Sequence, residues 1–547
     1  MFGATRRHVY PRGIILALGV LVFVALSNGN VESVPGPASA TSLDAGKLTD
    51  VAAITAGYRH TCALTEGGAV QCWGQNTNGE LGVGMTSYTG LSTPADVLGL
   101  QSGVTALAAG LASHTCALTE AGGATCWGLS KLGNLGDGNG TTMSSPTPTD
   151  VVGLASGIAT IAAGNSHTCA ITTEGVLKCW GFNTLGKVGD GSSLNNRYTP
   201  VDVVGLSGKV VAVALGAAHT CALTEDGGVQ CWGFNEFGEL GNGTTSGREP
   251  NPAPVDVVGL ESGVASIAAG GATCALTTEG GVKCWGSNKH GQLGAVTAET
   301  CTATFPAGEL VPCSTVPIDV TGLTSGVAAI AAGARHTCAV TTAGGLKCWG
   351  GNQFGQLGDG TTTNSPVPVD VVGLESGVAA VAVGGEHTCA LTTAGSVKCW
   401  GSNRFRQLAD GTTGGIRTTP VDVLVDSDSD GCTDVQEAGS SQALGGLRDP
   451  ENYWDFFDTP DPSNVRDRAV TIADVSHVVA RFGATAEPGL TSTDPLSPPG
   501  YAGSSGYHPA FDRTPSGPNL WNVGPADGAI TVQDIGLVVA QFGHSCA

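Results

Sequence analysis

The sequence contains few charged residues, few aromatic residues and few methionines. Of its 547 residues, 13% are charged, 5% are aromatic and three are methionines. Beyond the first forty residues, no apolar run is long enough to cross a bilayer. The formal net charge is −22, and a surface this acidic repels phosphate backbones. The composition therefore argues against a nucleic-acid partner, which normally requires clustered Lys and Arg.

Motifs for catalysis and for nucleotide binding are also missing. No arrangement of nucleophile, base and oxyanion donors stands out, and the glycine-rich runs recur as turns that do not lead from a strand to a helix. We therefore expect neither an enzyme nor a nucleotide partner.

Glycine and cysteine, by contrast, are abundant. The 85 glycines accompany apolar residues that are mostly Ala, Val and Leu, which suits short strands and tight turns and predicts an all-β protein. The 18 cysteines are an even number, mostly at fixed spacing. Such cysteines are typical of an oxidising compartment outside the cytoplasm.

The first 40 residues have the pattern of an export signal. Arg6, Arg7 and Arg12 precede the apolar run "GIILALGVLVFVALS", and Ala38-Ser39-Ala40 offers a cleavage site. The alternative is an uncleaved membrane anchor, but the run is shorter than the roughly 20 residues that span a bilayer. We predict a signal peptide over 1–40, a secreted or cell-surface protein, and no membrane span after cleavage. Cleavage removes three Arg and one Glu, which leaves a charge of −24.

One cysteine-bracketed segment, "HTCALTEGGAVQCWGQNTNGELG" at 60–82, returns with small changes seven times. The period is 51 to 54 residues except for one interval of 64. That interval contains the insert "AVTAETCTATFPAGELVPCSTV", which has its own pair of cysteines. The cysteine pairs are Cys62 and Cys72, Cys116 and Cys126, Cys169 and Cys179, Cys221 and Cys231, Cys274 and Cys284, Cys338 and Cys348, Cys389 and Cys399, and, in the insert, Cys301 and Cys313.

Each repeat predicts four short strands, represented by "TPVDVVGL", "VAAIAAG", "HTCALT" and "VKCWG". A period of about 50 residues with four strands is typical of a β-propeller blade. We predict a seven-bladed propeller over residues 41–425. The chain opens with "DVAAITAG" and finishes with "TPVDVLVD", so we expect the last strand to complete the blade that the first strands begin.

The hairpin geometry predicts a disulfide within each repeat. In "CALTEGGAVQC" the turn centres on Gly67, so Cys62 and Cys72 face each other across an antiparallel pair at a separation that a disulfide accepts. Alternation places Leu64 and Val70 on the same face as the bridge. The alternative, a set of zinc half-sites, lacks any Cys-x2-Cys spacing.

The repeats resemble the regulator of chromosome condensation repeat family, whose fold is a seven-bladed propeller. The resemblance covers about 375 residues and rests on positions such as Gly57, His60, Trp73, Asn76 and Leu81. Family members usually lack the cysteine pair, a difference that we interpret as an adaptation to export. The shared element that the resemblance implies is a protein-binding scaffold.

Histidine and tryptophan recur within the repeats. A His precedes Thr-Cys in six copies, whereas the fifth copy has Ala272 in a shortened stretch, "AGGATC". We expect the imidazoles to fasten turns through hydrogen bonds to the backbone; the alternative is a metal-holding ring. We expect the tryptophans to be packing anchors; the alternative is that some line a ligand surface. The six histidines are His60, His114, His167, His219, His336 and His387.

Positions that differ between the copies are candidates for contacts with a protein or glycan partner, because loops at blade ends commonly bind partners in propellers. We expect these side chains to project from such loops. The stapled insert is a further candidate, as a rigid probe or as a tolerated loop. The candidate residues are Tyr58, Arg59, Glu236, Phe237, Lys289, His290, Gln353, Phe354, Arg404 and Phe405.

The stretch "DSDSDGCTDVQE" at 426–437 predicts a calcium site. It matches the D-x-D-x-D-G-x5-E pattern of an EF-hand-like loop, in which hard oxygen ligands suit Ca²⁺. We assign residues 426–445 to this loop and a linker; the alternative is a solvated acidic linker. The predicted ligands are Asp426, Asp428, Asp430, the backbone carbonyl of Cys432, Asp434 and Glu437.

The C-terminal region, residues 446–547, contains two related segments, "DRAVTIADVSHVVARFG" and "DGAITVQDIGLVVAQFG". Each predicts a loop followed by an amphipathic helix, and the pair resembles dockerin modules, which implies a cohesin-like partner. Two loop positions lack the usual ligands, so the alternative is a helical pair that caps the tail. The weak calcium ligands would be Asp467, Asp474, Asp527 and Asp534. Cys432 and Cys546 remain, and a bridge between them would tie the ends of the tail together.

These features favour a secreted binding scaffold with a tail for attachment. The alternative is an extracellular carbohydrate-active enzyme, a hydrolase or lyase, that carries a dockerin-like module. Its mark would be acidic residues, such as Asp226, Glu236 or Glu386, that converge at the mouth of the propeller.

Overall fold

The computed structural model describes residues 46–140, 143–304 and 306–426. Within this part of the chain, residues 49–409 and 413–423 belong to one compact unit, and residues 46–48, 410–412 and 424–426 belong to a second. In the second unit, Lys47 pairs with Leu424 in an antiparallel bridge. The calcium-loop residues after Asp426 and the dockerin-like segments lie outside the described residues.

The described residues form 29 strands and no helix. Accordingly, no helix among them is long and apolar enough to cross a bilayer. The strands are β1 Val51–Ala56, β2 His60–Thr65, β3 Val70–Asn76, β4 Ser87–Asp96, β5 Val104–Ala109, β6 His114–Thr119, β7 Ala124–Leu129, β8 Ser144–Asp150, β9 Ile158–Ala163, β10 His167–Thr172, β11 Leu177–Gly181, β12 Arg197–Asp202, β13 Val210–Leu215, β14 His219–Thr224, β15 Val229–Asn235, β16 Gly247–Asp256, β17 Val264–Ala269, β18 Ala272–Thr277, β19 Val282–Ser287, β20 Thr300–Thr302, β21 Leu310–Asp319, β22 Val327–Ala332, β23 His336–Thr341, β24 Leu346–Gly350, β25 Ser365–Asp370, β26 Val378–Val383, β27 His387–Thr392, β28 Val397–Ser402 and β29 Ile416–Asp422.

Consecutive strands form antiparallel sheets, each of which is one blade. Within the described chain, six blades have four strands, and the fifth has a fifth strand, β20, at its outer edge. The all-β, seven-bladed fold is therefore confirmed. The additional strand comes from the insert, since β20 pairs with β21 through Cys301 and Val311.

The predicted hairpin register is confirmed. Cys62 lies opposite Cys72 and Leu64 lies opposite Val70 in the β2–β3 pair. The sulfurs of these two cysteines are bonded, with a Cα–Cα distance of 4.1 Å. The insert pair, Cys301 and Cys313, is also bonded, with a Cα–Cα distance of 5.9 Å. The other six hairpin pairs follow the pattern of the first, so that all the cysteines in the described residues are in disulfides.

The core lies in the seams between blades. The first disulfide, Leu64 and Val70 form one buried cluster with Leu81 of their own blade and Trp127 of the next. Each blade therefore contributes a stapled hairpin to one seam and a tryptophan to the other. Burial of such apolar surface, at about 25 cal/mol per Å², is the main favourable contribution to the folding of the ring.

The predicted route of ring closure is wrong. Strands β1–β4 form a complete blade, and β29 pairs with β28 inside the last blade. The reason is that the first strand of each blade is the innermost, so β1 is the first strand of a complete blade. The ring closes instead by packing and hydrogen bonds between the first and last blades, such as the one from the Val51 amide to the Gly395 carbonyl at 3.2 Å.

Candidate functional site

A shared backbone acceptor joins each blade to the next. The Glu80 carbonyl of the first blade accepts hydrogen bonds from the Thr115 hydroxyl, at 3.0 Å, and from the Trp127 indole, at 2.9 Å, both of the second blade. The equivalent acceptors in the other seams are the carbonyls of Asn134, Lys187, Glu239, Gln292, Gln356 and Gln407. The seven tryptophans of the repeats are fully buried. They are packing anchors, as predicted, and do not line a ligand surface.

The repeated histidines extend this seam. The Nε2 atom of His60 lies 2.9 Å from the hydroxyl of Thr115 in the next blade. Because that hydroxyl donates its own hydrogen to Glu80, its oxygen accepts the Nε2–H of a neutral imidazole. Burial lowers the pKa of His60 to about 4, which keeps the ring neutral. The same bond recurs in five other seams.

The expectation that these imidazoles bond chiefly to backbone is therefore wrong. The acceptor is a threonine side chain across the seam, and the repeated His-Thr dipeptide was the signal for it. The histidines do not gather around a metal position. Among the described residues, the one group of three potential metal ligands is Glu299, Cys301 and Cys313, and these cysteines are bonded to each other.

Two sets of connecting segments, at opposite ends of the strands, differ in charge. We define the loop face by the connections between the first and second strands and by the two residues that follow Asn76, or its counterpart, in each loop after the third strand. These segments contain five cations, Arg59, Lys131, Lys289, Arg335 and Arg404, and two acids, Glu236 and Glu386. Their ranges are 57–59, 110–113, 164–166, 216–218, 270–271, 333–335 and 384–386, with 77–78, 131–132, 184–185, 236–237, 289–290, 353–354 and 404–405.

The opposite end, which we define as the hairpin face, consists of the turns between second and third strands. These turns contain six acidic residues and no Lys or Arg, and all six acids are exposed. The acids are Glu66, Glu120, Glu174, Glu225, Asp226 and Glu279. The defined loop-face segments therefore carry net positive charge and the hairpin turns net negative charge; the rest of the loops after the third strands also contains acids, among them Asp137, Glu299 and Asp359.

Several predicted partner-binding residues meet at the junction of the first and last blades. The Arg59 guanidinium lies 4.9 Å from the centroid of the Tyr58 ring and 4.4 Å from that of Phe405. It also lies 3.4 Å from the Glu386 carboxylate. Arg404 lies 5.6 Å from the Phe405 ring. Arginine and aromatic side chains grouped in this way are enriched among residues that dominate protein interfaces.

The remaining predicted residues have different surroundings. Phe237, Phe354 and His290 are half-buried, whereas Gln353 and Lys289 are exposed. Glu236 differs from the prediction, because it is 9% exposed and accepts hydrogen bonds from the amide and hydroxyl of Thr304 in the insert. Lys289 forms an ion pair with Glu309 of the same insert at 3.0 Å. The insert thus packs onto the loop face.

A pocket of about 280 Å³ opens on the loop face beside the fifth blade. The connection between β17 and β18 is one residue shorter than in the neighbouring blades, and Ala272 replaces the repeated histidine. Two aromatic rings, Phe234 and Phe237, contribute to the wall. The remaining polar lining includes Glu239, Lys289, His290, Gln292 and Arg335.

The loop side of the seams also holds buried ionisable groups that the sequence did not single out. Burial raises the pKa of Glu80 and of Glu239 to about 7 and lowers the pKa of Lys187 to about 7. Lys187 donates to the Asn165 carbonyl and lies 5.0 Å from the Phe182 ring centroid. At the equivalent position the other repeats have Gln or Asn. This difference between the repeats was the sequence signal for the ionisable groups.

The acidic cluster expected of a carbohydrate-active enzyme does not form in the described propeller. Asp226 lies on the hairpin face, Glu236 is bonded to the insert, and Glu386 is paired with Arg59. The narrow space at the propeller axis, about 30 Å³, is lined mainly by small apolar residues such as Ala56 and Ala109. Of the predicted calcium ligands only Asp426 lies within the described residues.

Comparison with known families identifies the repeat. Two profiles of the regulator of chromosome condensation (RCC1) repeat match the chain and together span more than half of it. One matches residues 51–80, 158–187, 210–239, 264–292, 327–356 and 378–407, and the other matches 122–171, 174–223, 226–276, 279–340 and 344–391.

Named relatives share the propeller region. The chain is 33% identical to the ultraviolet-B receptor UVR8 of Arabidopsis thaliana, over 65% of this chain and 78% of the receptor. It is 34% identical to the human E3 ubiquitin-protein ligase HERC2, but the match spans only 7% of that protein.

Solved structures show the same fold at lower identity. Human WBSCR16 gives a TM-score of 0.56 at 22% identity and covers 66% of this chain and 95% of its own. For Prp20p of Saccharomyces cerevisiae the TM-score is 0.56 at 23% identity, and the match covers 69% of this chain and 87% of Prp20p.

Proposed function

Since the chain belongs to the regulator of chromosome condensation repeat family, we propose that it is a secreted scaffold whose loop face binds an acidic surface of a partner protein. The family supports a protein-binding role. The solved structures of yeast Prp20p concern its binding to Gsp1p and histones and its complex with Kap60. None of these partners is transferred to this chain.

The observation that carries the proposal is the separation of charge. On a chain of net charge −22, the loop-face segments have five cations and two acids. Arg59 is paired with Glu386 and Lys289 with Glu309 of the insert, and the other three cations are exposed. Complementary potentials steer association and suppress wrong partners. An acidic protein surface would therefore approach the loop face and be repelled by the hairpin face.

The interface would be centred on two groups of side chains. The first is the cluster of Tyr58, Arg59, Arg404 and Phe405 at the junction of the first and last blades. The second is around the fifth blade, where Phe237, Lys289 and His290 line a pocket. Gln353 and Phe354 lie in the sixth blade between these groups.

Export is supported by the disulfides and by the signal-like N-terminal sequence. Seven disulfides staple hairpins whose sulfurs are fully buried, and such bonds persist in oxidising compartments. We expect the mature protein in the extracellular fraction, with an N-terminus near residue 41 by mass spectrometry. Retention of residues 1–40 in the cell membrane would contradict this location.

The tail would attach the scaffold elsewhere. We propose that the loop at 426–437 binds Ca²⁺ and that the two later segments dock onto a cohesin-like protein, on the basis of the sequence pattern alone. Calorimetry with Ca²⁺ should give one strong site in the full chain. The Asp428→Asn, Asp430→Asn variant should lose that site. An unchanged titration would overturn the proposal that this loop binds Ca²⁺.

Partner capture tests the main proposal. The full chain, immobilised through its C-terminus, is exposed to the extracellular fraction of its source organism, and bound proteins are cross-linked and identified. The test variant replaces four exposed loop-face cations, Lys131, Lys289, Arg335 and Arg404, with Glu. The matched control replaces four exposed hairpin-face acids, Glu66, Glu120, Glu174 and Glu279, with Lys.

We expect the loop-face variant to lose a partner that the control variant retains. Capture should also weaken as salt is raised, because exposed charges are screened beyond about 8 Å at physiological ionic strength. Equal capture by the two variants, or loss only in the hairpin-face control, would overturn the proposal. Capture of glycan without protein would favour a carbohydrate partner instead.

A further inference from the structure

The fifth blade departs from its neighbours in three ways. Its β17–β18 connection has two residues, Gly270 and Gly271, where the sixth blade has three, Gly333 to Arg335. It lacks the seam histidine, so the hydroxyl of Thr337 bonds to the Gln292 carbonyl without an imidazole beside it. Its outer strand is extended by the disulfide-bonded insert. The shortened connection lines the 280 Å³ pocket on the loop face, Gln292 lines it as well, and the insert reaches the lining residue Lys289 through Glu309.

The pocket has an apolar wall and a polar base. Phe234 and Phe237 are half-buried, so part of each ring remains available to a ligand. At the base, Glu239 is 6% exposed, and one oxygen of its carboxyl group accepts the Phe237 amide at 2.9 Å. Gln292 is 4% exposed and accepts the His290 amide at 2.8 Å. These bonds fix the two side chains and preorganise the base of the pocket.

The mouth of the pocket attracts carboxylates. Lys289 already binds one, since its ammonium lies 3.0 Å from the Glu309 carboxylate of the insert. Arg335 is exposed and makes no ion pair within the described residues. A planar guanidinium with free donors is suited to bidentate contact with a carboxylate.

The base of the pocket does not cancel this positive potential. Burial raises the pKa of Glu239 to about 7, so this carboxyl carries only part of a negative charge near neutrality. His290 has a lowered pKa, because of its burial and the positive charges of Arg335 and Lys289. Its ring is therefore predominantly neutral at pH 7 and can donate or accept a hydrogen bond.

We propose that this pocket binds an acidic side chain of the partner protein, an aspartate or glutamate that is flanked by an apolar residue. The carboxylate would contact Arg335 and Lys289, and the apolar neighbour would pack on Phe234 and Phe237. The inference rests on the proposed function and names the partner group that one part of the loop face recognises. The insert holds Glu236 and Lys289 in place on one side.

A labelled peptide tests the pocket directly. Fluorescence anisotropy of the full chain is measured with fluorescein-Gly-Phe-Asp-Phe-Gly-amide and with the same peptide that has Asn in place of Asp. We expect the Asp peptide to bind at least about tenfold more tightly, as one charge-assisted pair gives about 1.4 kcal/mol. Equal affinity of the two peptides would overturn the proposal.

Variants separate the pocket from the general charge of the face. Arg335→Ala should weaken the Asp peptide about tenfold or more. The matched controls, Lys131→Ala and Arg404→Ala, remove exposed cations of the same face outside the pocket and should change affinity less than threefold. An equal loss in all three variants would show attraction by net charge only and would contradict a specific site.

A loop replacement fills the site without removing a charge. Gly270-Gly271-Ala272 is exchanged for the Gly-Ala-Ala-His sequence of positions 216–219, which restores the longer connection and the seam histidine. We expect peptide binding to be lost while the urea midpoint is maintained or raised. Retained binding in a folded variant would overturn the proposal.

Two further outcomes distinguish this inference from the function on which it rests. If the loop-face variant loses its protein partner but the wild-type chain binds neither peptide, the pocket assignment fails and the scaffold function stands. If a galacturonate oligosaccharide saturates the chain and the Asp peptide does not, the occupant is a glycan and the proposed protein carboxylate is wrong.

Discussion

Adjacent residues of the chain belong to two regions with different roles, the seams between blades and the loop face. His60 is buried and bonds to Thr115 across a seam, whereas Arg59, its neighbour, stacks on aromatic rings of the loop face. The seam is nearly the same in every blade because each blade must pack against the next. The loop residues vary because none of them is required for closure, so their charges and rings are available for binding.

The fifth blade shows what happens when a seam loses a component. Ala272 stands where six other blades have histidine, yet Thr337 and Trp349 of the next blade still donate to the Gln292 carbonyl. The ring therefore closes without the imidazole, and the shortened connection leaves a pocket. We interpret the histidine as one stabilising component of the seam and its loss as compatible with binding.

Removal of one seam staple should have the largest effect on stability. The Cys62→Ala, Cys72→Ala variant should lower the free energy of unfolding by about 2 to 3 kcal/mol, because a ten-residue loop is no longer closed in the unfolded chain. Urea denaturation measures the loss. The Cys301→Ala, Cys313→Ala variant is the matched control: its loop is of similar length, so it should lose a similar loop-closure contribution. The Cys62→Ala, Cys72→Ala variant should cost more because its sulfurs also pack in the buried seam cluster.

A methyl group in the seam should cost nearly as much. Gly74 has a φ of 97° and a Cβ there would lie 2.7 Å from the Arg59 carbonyl oxygen and 3.1 Å from the Gln407 Cα. We expect Gly74→Ala to destabilise by about 2 kcal/mol or more. Gly99→Ala is the control, since φ is 76° but nothing lies within 4 Å, and about 1 kcal/mol is expected. Equal costs would refute close packing at Gly74.

Acid should weaken the seams before it affects the loops. Five seam histidines have pKa values lowered to about 3 or 4, and that of His167 is lowered well below its usual value, in each case mainly by burial. The unfolded chain, in which the pKa is near 6.5, binds protons that the folded chain excludes. Stability from these residues is therefore complete above pH 6.5 and is lost as the pH falls toward 4.

Two carboxyls oppose this trend, since Glu80 and Glu239 have pKa values raised to about 7. Six histidines outnumber them, so we expect a net fall in the urea midpoint between pH 6.5 and pH 4.5. His60→Gln should make the dependence shallower by about one proton. A midpoint that is constant over this range would contradict neutral, buried seam histidines.

Single substitutions at two adjacent positions should distinguish the seam from the loop face. Among these variants they should change the free energy of unfolding least. His60→Ala should destabilise by about 1 to 2 kcal/mol through the lost hydrogen bond to Thr115 and leave partner capture intact. Arg59→Ala should change stability by less than about 1 kcal/mol, because its ion pair is partly exposed, and should weaken capture. The reverse pattern would show that the assignment of seam and loop is wrong.

Much of the fold could be predicted because it depends on local periodicity. Turn position and strand alternation place Cys62 opposite Cys72 and Leu64 beside the bridge, and both relations follow from a single hairpin. The closure of the ring was mispredicted because it depends on which strand of each repeat is innermost. The repeated sequence does not show where one blade ends and the next begins, so it does not determine that strand.

The candidate site was less predictable for a similar reason. The variable residues of the loops were visible as differences between the copies, but the bond between His60 and Thr115 crosses from one repeat to the next. The raised pKa of Glu239 and the pocket beside it depend on burial by three blades. A shortened "AGGATC" was visible in the sequence, but the space that it leaves was not.

Hydrogen exchange on the captured complex tests the central claim most directly, because it locates the partner without any substitution. The account predicts slower exchange in the loop-face peptides, above all around residues 57–59, 289–290, 333–335 and 404–405, and unchanged exchange in the hairpin turns. Slower exchange at the turns around residues 66–69, 120–123 and 225–228, with the loops unchanged, would contradict it.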